Sequence, residues 1–350
     1  MEFGYLQVSA SSRSWRTILK IFLIWFFLVG AVLVLLPQYY VFVSSTIVVN
    51  FIAITGLVIL VGHGGQISLG HGAFVGLGAY ICAIAMGKFG IPYWLSVPLT
   101  GIVSFFIGFL FGYPAVRLEG HYLALATFAL GLTFPQIVKL NWLHPLTGGS
   151  MGMILSQPKS VLPDILSVDK WLFIFVAFWG LLIYLITLGI SQSRLFLAWR
   201  ALRDHRVAAE VAGINRLLSN NAAFAVSAMF AGISGALGVI VTQFVAADTF
   251  SFFLSLTLLV GAVVGGVHSM LGAILGAIFI QFIPNLADNI SKAAPWAVYG
   301  GVLLVVITVA PSGIAGALAA LFDRIVTAGR KLGYAPGRLQ PKSSSQDLEV

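Results

Sequence analysis

Apolar runs of about twenty residues recur ten times in this chain, at 18–36, 41–61, 66–86, 94–112, 121–138, 170–190, 221–243, 252–267, 270–288 and 296–312. A helix rising about 1.5 Å per residue spans a hydrocarbon core of roughly 30 Å with a run of that length. In lipid every backbone N–H and C=O needs a partner, so only helices and closed barrels can cross. Barrel strands alternate apolar and polar residues, and these runs do not. Composition points the same way: 59% of the 350 residues are hydrophobic and only 9% charged. A soluble domain carries roughly a quarter charged residues. A mean hydropathy of +1.01 fits a surface solvated by lipid. The expected fold is all-α, a polytopic integral membrane protein of about ten helices.

The net charge of +8 does not call for a nucleic-acid partner, because the basic residues flank apolar runs. Thirteen of nineteen fall in three clusters: Arg13, Arg16 and Lys20; Arg194, Arg200, Arg203, Arg206 and Arg216; and Arg324, Arg330, Lys331, Arg338 and Lys342. Basic clusters beside spans mark the cytoplasmic side. Six runs separate the first two clusters and four the last two, so even crossings keep all three on one side. Both termini are then expected in the cytoplasm. The expected division is a tail at 1–17, one transmembrane domain at 18–320 and a tail at 321–350. The loop at 191–219 falls inside the cell and the loop at 139–169 outside. The N-terminal run shows no small-residue cleavage site and reads as a first membrane helix. The lone cysteine, Cys82, excludes a disulfide framework and lies among small apolar residues as a core position.

One segment interrupts the pattern. Residues 62–74 contain Gly64, Gly65, Gln66, Ser68, Gly70, His71 and Gly72, too polar and glycine-rich to hold a helix cheaply. Non-helical backbone at membrane depth survives only where protein or a water-filled cavity satisfies it. A helix restarting near Ser68 would offer free N–H groups to a carboxylate. A tight packing turn is the simpler alternative. Gly265 and Gly266, then Gly272 and Gly276, echo this spacing in the second half, as paired interruptions do around transporter sites. A second candidate is the basic run 200–214, where Leu202, Val207, Val211 and Ile214 fall near one helical face and Gly213 can end the helix. His63, His71, His121 and His268 form no close ligand pair, so no metal is expected. No phosphate-binding Gly-Lys-Ser/Thr loop occurs, so this chain is expected to hydrolyse no nucleotide.

The residues 208–214, Ala-Ala-Glu-Val-Ala-Gly-Ile, resemble the coupling loop of ATP-binding-cassette importer permeases. Residues 65–74, with Leu146 to Ser150, Ala223 to Leu237 and Pro311 to Gly316, are similar in order to the branched-chain amino acid permease family, in particular its longer, second permease subunit. The resemblance implies a fold like vitamin-B12-type (type II) importer permeases. It implies a sister permease, two cytoplasmic ATP-binding subunits holding ATP and Mg, and a periplasmic amino-acid-binding protein, with no cofactor on this chain. It assigns Arg200, Arg203, Asp204, Ala208, Ala209, Glu210 and Gly213 to ATPase coupling, while the interrupted backbone itself makes residues 64–72 the expected substrate path. Two departures stand out. Asn220 or Asn221 occupies the place of a common basic residue, for which Arg216 is the expected substitute, and Met151 follows Gly149-Ser150 where a polar residue is usual. The alternatives are a related permease for urea, amides or other small solutes, and an ion-coupled secondary transporter. The latter would need an intramembrane charge, whereas Glu119, Asp248 and Asp288 fall at run ends.

Overall fold

The computed structural model describes residues 15–118, 120–158, 167–290 and 312–321, with five more between 300 and 308. Twelve helices run through it: α1 Trp15–Leu35, α2 Gln38–Leu57, α3 His71–Gly87, α4 Tyr93–Ala115, α5 His121–Val138, the single turn α6 His144–Thr147, α7 Val168–Ile190, α8 Arg194–Asp204, α9 Arg206–Val211, α10 Arg216–Thr242, α11 Phe252–Gly265 and α12 Met270–Ile290. Residues 313–321 are also helical. Nine of the ten apolar runs meet a helix, and the tenth, 296–312, lies largely outside the described residues, as do the tails at 1–17 and 321–350. Five helices are long and apolar enough to cross a membrane: Gln38–His63, Tyr93–Ala115, His121–Val138, Val168–Ile190 and Arg216–Thr242. Leu19–Leu35, His71–Gly87, Phe252–Gly265 and Met270–Pro284 are shorter apolar helices.

α10 forms the centre, packed against α2, α3 and α4. Lipid supplies no hydrophobic drive between helices, so close van der Waals approach has to hold them together. The sequence provides it with small residues on facing stripes. A Cβ on Gly78 of α3 would overlap Gly232 of α10, and one on Gly235 would overlap the Val75 carbonyl. Gly108 of α4 meets Ala228, and Gly101 meets Ile233. Cys82 is fully buried in this core. The outer surface carries large apolar side chains instead, with Phe27, Val34 and Leu110 among the most exposed. Such an exterior belongs in lipid. This is an all-α, multi-pass membrane protein.

Part of the loop after α5 lies within the described residues. Thr147 Oγ1 donates to the Val138 carbonyl at 2.8 Å, closing the turn before Gly148 and Gly149. The strands β1 Met153–Ile154 and β2 Phe244–Val245 then pair antiparallel, Met153 opposite Val245, the only sheet among the described residues. Lys139 and Asp248 form an ion pair at this end at 2.5 Å. Met151 is strongly exposed.

Candidate functional site: a discontinuous helix beside a basic cavity

After Leu57, α2 widens into a π-turn, Val58–His63, and Gly64 N–H donates to the Ile59 carbonyl five residues back at 2.9 Å. Single π-turns recur at functional sites because they free backbone groups from the regular ladder. The chain then leaves helical geometry until His71. The expected restart near Ser68 is corrected to His71, because the Leu69 N–H is taken by Thr127 Oγ1 of α5 at 3.0 Å and the helical ladder cannot begin there. Gly65 sits at φ +66°, a conformation open to glycine and costly for most side chains.

The seven expected path residues divide into two groups. Gly64, Gly65 and Gln66 line a cavity of about 260 Å³. Ser68, Gly70, His71 and Gly72 are buried away from it. A Cβ on Gly70 would overlap the Thr127 carbonyl, His71 Nε2 shares a hydrogen bond with the Ala53 carbonyl at 2.9 Å, and Gly72 N–H donates to Ser255 Oγ at 2.9 Å. The Gly72 N–H in the first turn of α3 thus has a protein partner in Ser255 of α11. Thr127, Ser255 and Ala53 escaped the sequence reading; the only signal was two isolated hydroxyls in apolar runs.

Arg203 and Arg206 close the cavity from α8 and α9, and Arg216 and Asn220 from the start of α10. Arg203 reaches furthest. Its guanidinium donates to the Gly62 carbonyl, its aliphatic carbons lie against Gly65, and it stands 3.4 Å from His268 Nδ1. Partial burial, then the Arg203 charge, lowers the His268 pKa below its ordinary value. Gln66 Nε2 donates to the Asn220 carbonyl at 3.2 Å. The Gln66 Oε1 and Asn220 Oδ1 acceptors are buried with no partner among the described residues.

The basic segment differs from the single amphipathic helix expected for it. His205, at φ −145° and ψ 85°, breaks it into α8 and α9. Leu202 is buried, whereas Val207 and Val211 are 74% and 85% exposed, so the expected common face is split. The anchor is Trp199, fully buried, its Nε1–H donating to the Ser219 carbonyl at 2.8 Å. Arg200, Asp204, Ala208, Glu210 and Gly213 are exposed, and Ala209 is buried. Asp204 pairs with Arg203 at 2.8 Å and Glu210 with Arg206 at 3.3 Å. Gly213 ends the segment at φ +88°. Among the described residues no group of three or more His, Cys, Asp or Glu side chains is arranged to hold a metal ion.

Residues 39–311 match the model of the family described as branched-chain amino acid transport system / permease component. The chain is 30% identical over 287 residues to the high-affinity branched-chain amino acid transport system permease protein LivM of Salmonella typhimurium, covering 74% of this chain and 66% of that protein. The LivM protein of Escherichia coli matches at 30% over 285 residues with the same coverage. The corresponding permease protein BraD of Pseudomonas aeruginosa is 26% identical over 288 residues, covering 75% of this chain and 89% of that protein. The match thus spans slightly less than two thirds of the LivM proteins' own length. No solved structure matches the chain. On a family match that runs through the discontinuous segment, the cavity and the basic segment alike, this chain belongs to the permease-component family of branched-chain amino acid transport systems.

Proposed function

We propose that this chain is a permease subunit of an ATP-driven importer, moving branched-chain or related hydrophobic amino acids across a bacterial inner membrane. The observation that carries this reading is Arg203, which ties the basic segment directly to the backbone of the discontinuous segment at Gly62. An importer needs such a joint, because force from ATP hydrolysis has to reach the path through the membrane. In this reading α8 and α9 face the cytoplasm and dock on an ATP-binding subunit, with Arg200, Ala208, Glu210 and Gly213 on the exposed side. ATP and Mg belong to that partner. The chain crosses about ten times in a vitamin-B12-type arrangement, both termini inside, beside a sister permease and under a periplasmic amino-acid-binding protein. Residues 64–72 form the path wall, with 64–66 at its cytoplasmic mouth.

The physical logic is that of discontinuous helices in transporters generally. Unwound backbone carries polar groups across a depth where a continuous helix would offer none. The test is reconstitution in liposomes with the two ATP-binding subunits, the sister permease and the binding protein. Uptake of leucine, isoleucine or valine, dependent on ATP and on the binding protein, is the expected outcome. Uptake that persists without ATP but follows a proton or sodium gradient would overturn it.

A further inference from the structure

α5 is attached to the rest of the molecule more lightly than α10 is. Only 33% of α5 is buried, against 78% of the apolar stretch of α10. Its inner end follows Gly120, a turn residue at φ +52° with open space where a Cβ would stand. Its first turn borders the cavity beside Gly65 through Leu123. Thr127 then holds Leu69 N–H, and its carbonyl lies against Gly70. Further out the contacts become aromatic. Phe134 of α5 and Phe250, from the short 3-10 turn Ala247–Phe250, both stand where a Cβ on Gly76 of α3 would be. Tyr80 of α3 meets both rings edge-on, at 6.4 and 6.3 Å between centroids. At the outer end Lys139 pairs with Asp248 of the same short turn at 2.5 Å. One seam thus runs from the cavity, past the ring cluster, to an ion pair.

We propose that Tyr80, Phe134 and Phe250 form the outer gate of the path, that Lys139 and Asp248 are its latch, and that α5 is the moving leaf, swinging about Gly120 and Thr127. The Lys139 and Asp248 side chains are 24% and 75% exposed. A pair so open to water is weak, so it biases the gate toward closure and yet breaks readily in each cycle. The Tyr80 hydroxyl pulls the other way. Tyr80 is 4% exposed, and its hydroxyl is buried with no partner among the described residues. A buried hydroxyl without a partner destabilises the closed plug, and water reaching it on opening removes that cost. Latch and hydroxyl together keep the two states close in energy, as a gate requires. The material of the seam also fits. Aromatic rings lying across Gly76 can turn aside by a change of rotamer, whereas the backbone contacts of Gly78 with Gly232 cannot.

This inference rests on the importer reading for the direction of the cycle, and the experiment keeps the two apart. The complete transporter is reconstituted in liposomes on a Cys82→Ala background. Tyr80→Cys is then exposed to a small charged thiol reagent on the side of the binding protein. Labelling is expected to be at least about tenfold faster while ATP and the binding protein drive the cycle, as an open state passes from minor to dominant. Asp248→Lys should raise labelling at position 80 severalfold in the nucleotide-free complex, and adding Lys139→Asp should return it to the starting rate. In a separate complex, Lys139→Cys with Asp248→Cys is bridged by a short bis-thiosulfonate, the bridge being verified by mass spectrometry. Leucine uptake should fall to background and recover with dithiothreitol. The bridge decides the matter where Tyr80→Cys does not assemble, and the labelling decides it where the bridge does not form. Undiminished uptake through bridged complexes would overturn the proposal, and so would equal labelling in every nucleotide state of complexes that transport. Either result, with normal uptake by the parent, defeats the gate alone. Absent uptake by the parent defeats the importer reading itself.

Discussion

Two Gly-Gly interruptions, at 64–65 and 265–266, begin from nearly the same letters and fold into different objects. At the second, only four residues separate the end of α11 at Gly265 from the start of α12 at Met270, and α12 turns straight back on α11. A Cβ on Gly265 would overlap the Gly272 carbonyl, and one on Gly276 the Gly261 carbonyl, so the two helices close on each other through paired glycines. At the first, seven residues separate the end of the π-turn at His63 from His71, where α3 restarts with the His71 side chain bonded to Ala53. Ala53 lies ten residues behind His63 on the helix, roughly 15 Å at helical rise, so the irregular stretch climbs back alongside α2. The glycines that follow serve other helices: Gly72 lies against Ser255, and Gly76 against Phe134 and Phe250. Glycine spacing announces close approach. It does not say which neighbour approaches.

The strongest challenge to this contrast is Gly265→Val. Its side chain would enter backbone that cannot retreat, a loss of roughly 3 kcal/mol or more, and the expected result is no monodisperse protein in detergent extracts. A well-folded variant would show that the α11–α12 hairpin is loose. Next comes Arg203→Ala, which removes a charged hydrogen bond to Gly62 and the packing against Gly65. Transport per ATP hydrolysed in liposomes should drop about tenfold with membrane insertion intact, in line with about 1.5–3 kcal/mol for such a bond. An unchanged transport-to-hydrolysis ratio would disconnect the basic segment from the first interruption.

Gln66→Leu should reduce transport severalfold in assembled complexes, whereas Ser68→Val, at a buried position away from the cavity, should reduce it less. In a chain without Cys82, a cysteine at 66 should react with a small polar thiol reagent and one at 68 should not. Equal reactivity would extend the path along the whole interruption. The smallest effect is expected for Val207→Ser with Val211→Ser. Both side chains are exposed, so the unfolding free energy of the isolated subunit should stay within about 0.5 kcal/mol of the parent. Retention of the ATP-binding subunits on an affinity column should fall, and unchanged retention would remove these valines from the docking face.

Much of this architecture was legible because lipid imposes a length on apolar runs, and α5 was read to its boundaries at 121 and 138. What escaped was set by partners remote in sequence. Nothing in residues 66–70 announces Thr127, whose hydroxyl holds Leu69 N–H and delays α3 to His71. Residues 200–211 are helix formers almost throughout, and only the docking of Trp199 and Leu202 accompanies the break at His205. Gln66 was marked as polar in an apolar run, but its bond to Asn220 depends on a residue 154 positions away. The cavity was invisible for the same reason, since its arginines read as topology markers or, for Arg203, as part of the coupling segment.

The seams around α10 also constrain how such a molecule can work. Gly232 sits against Gly78 and Gly235 against the Val75 carbonyl, each with backbone where a methyl would need to be, and the Ala228 methyl fills that place beside Gly108. Sliding α10 by one turn along α3 or α4 would drive the neighbouring Cβ atoms into that backbone. The seams therefore behave like meshed gear teeth with no clearance for slip. α10 with α2, α3 and α4 is the stator of the machine, and whatever rocks during a cycle has to be hung on its outside.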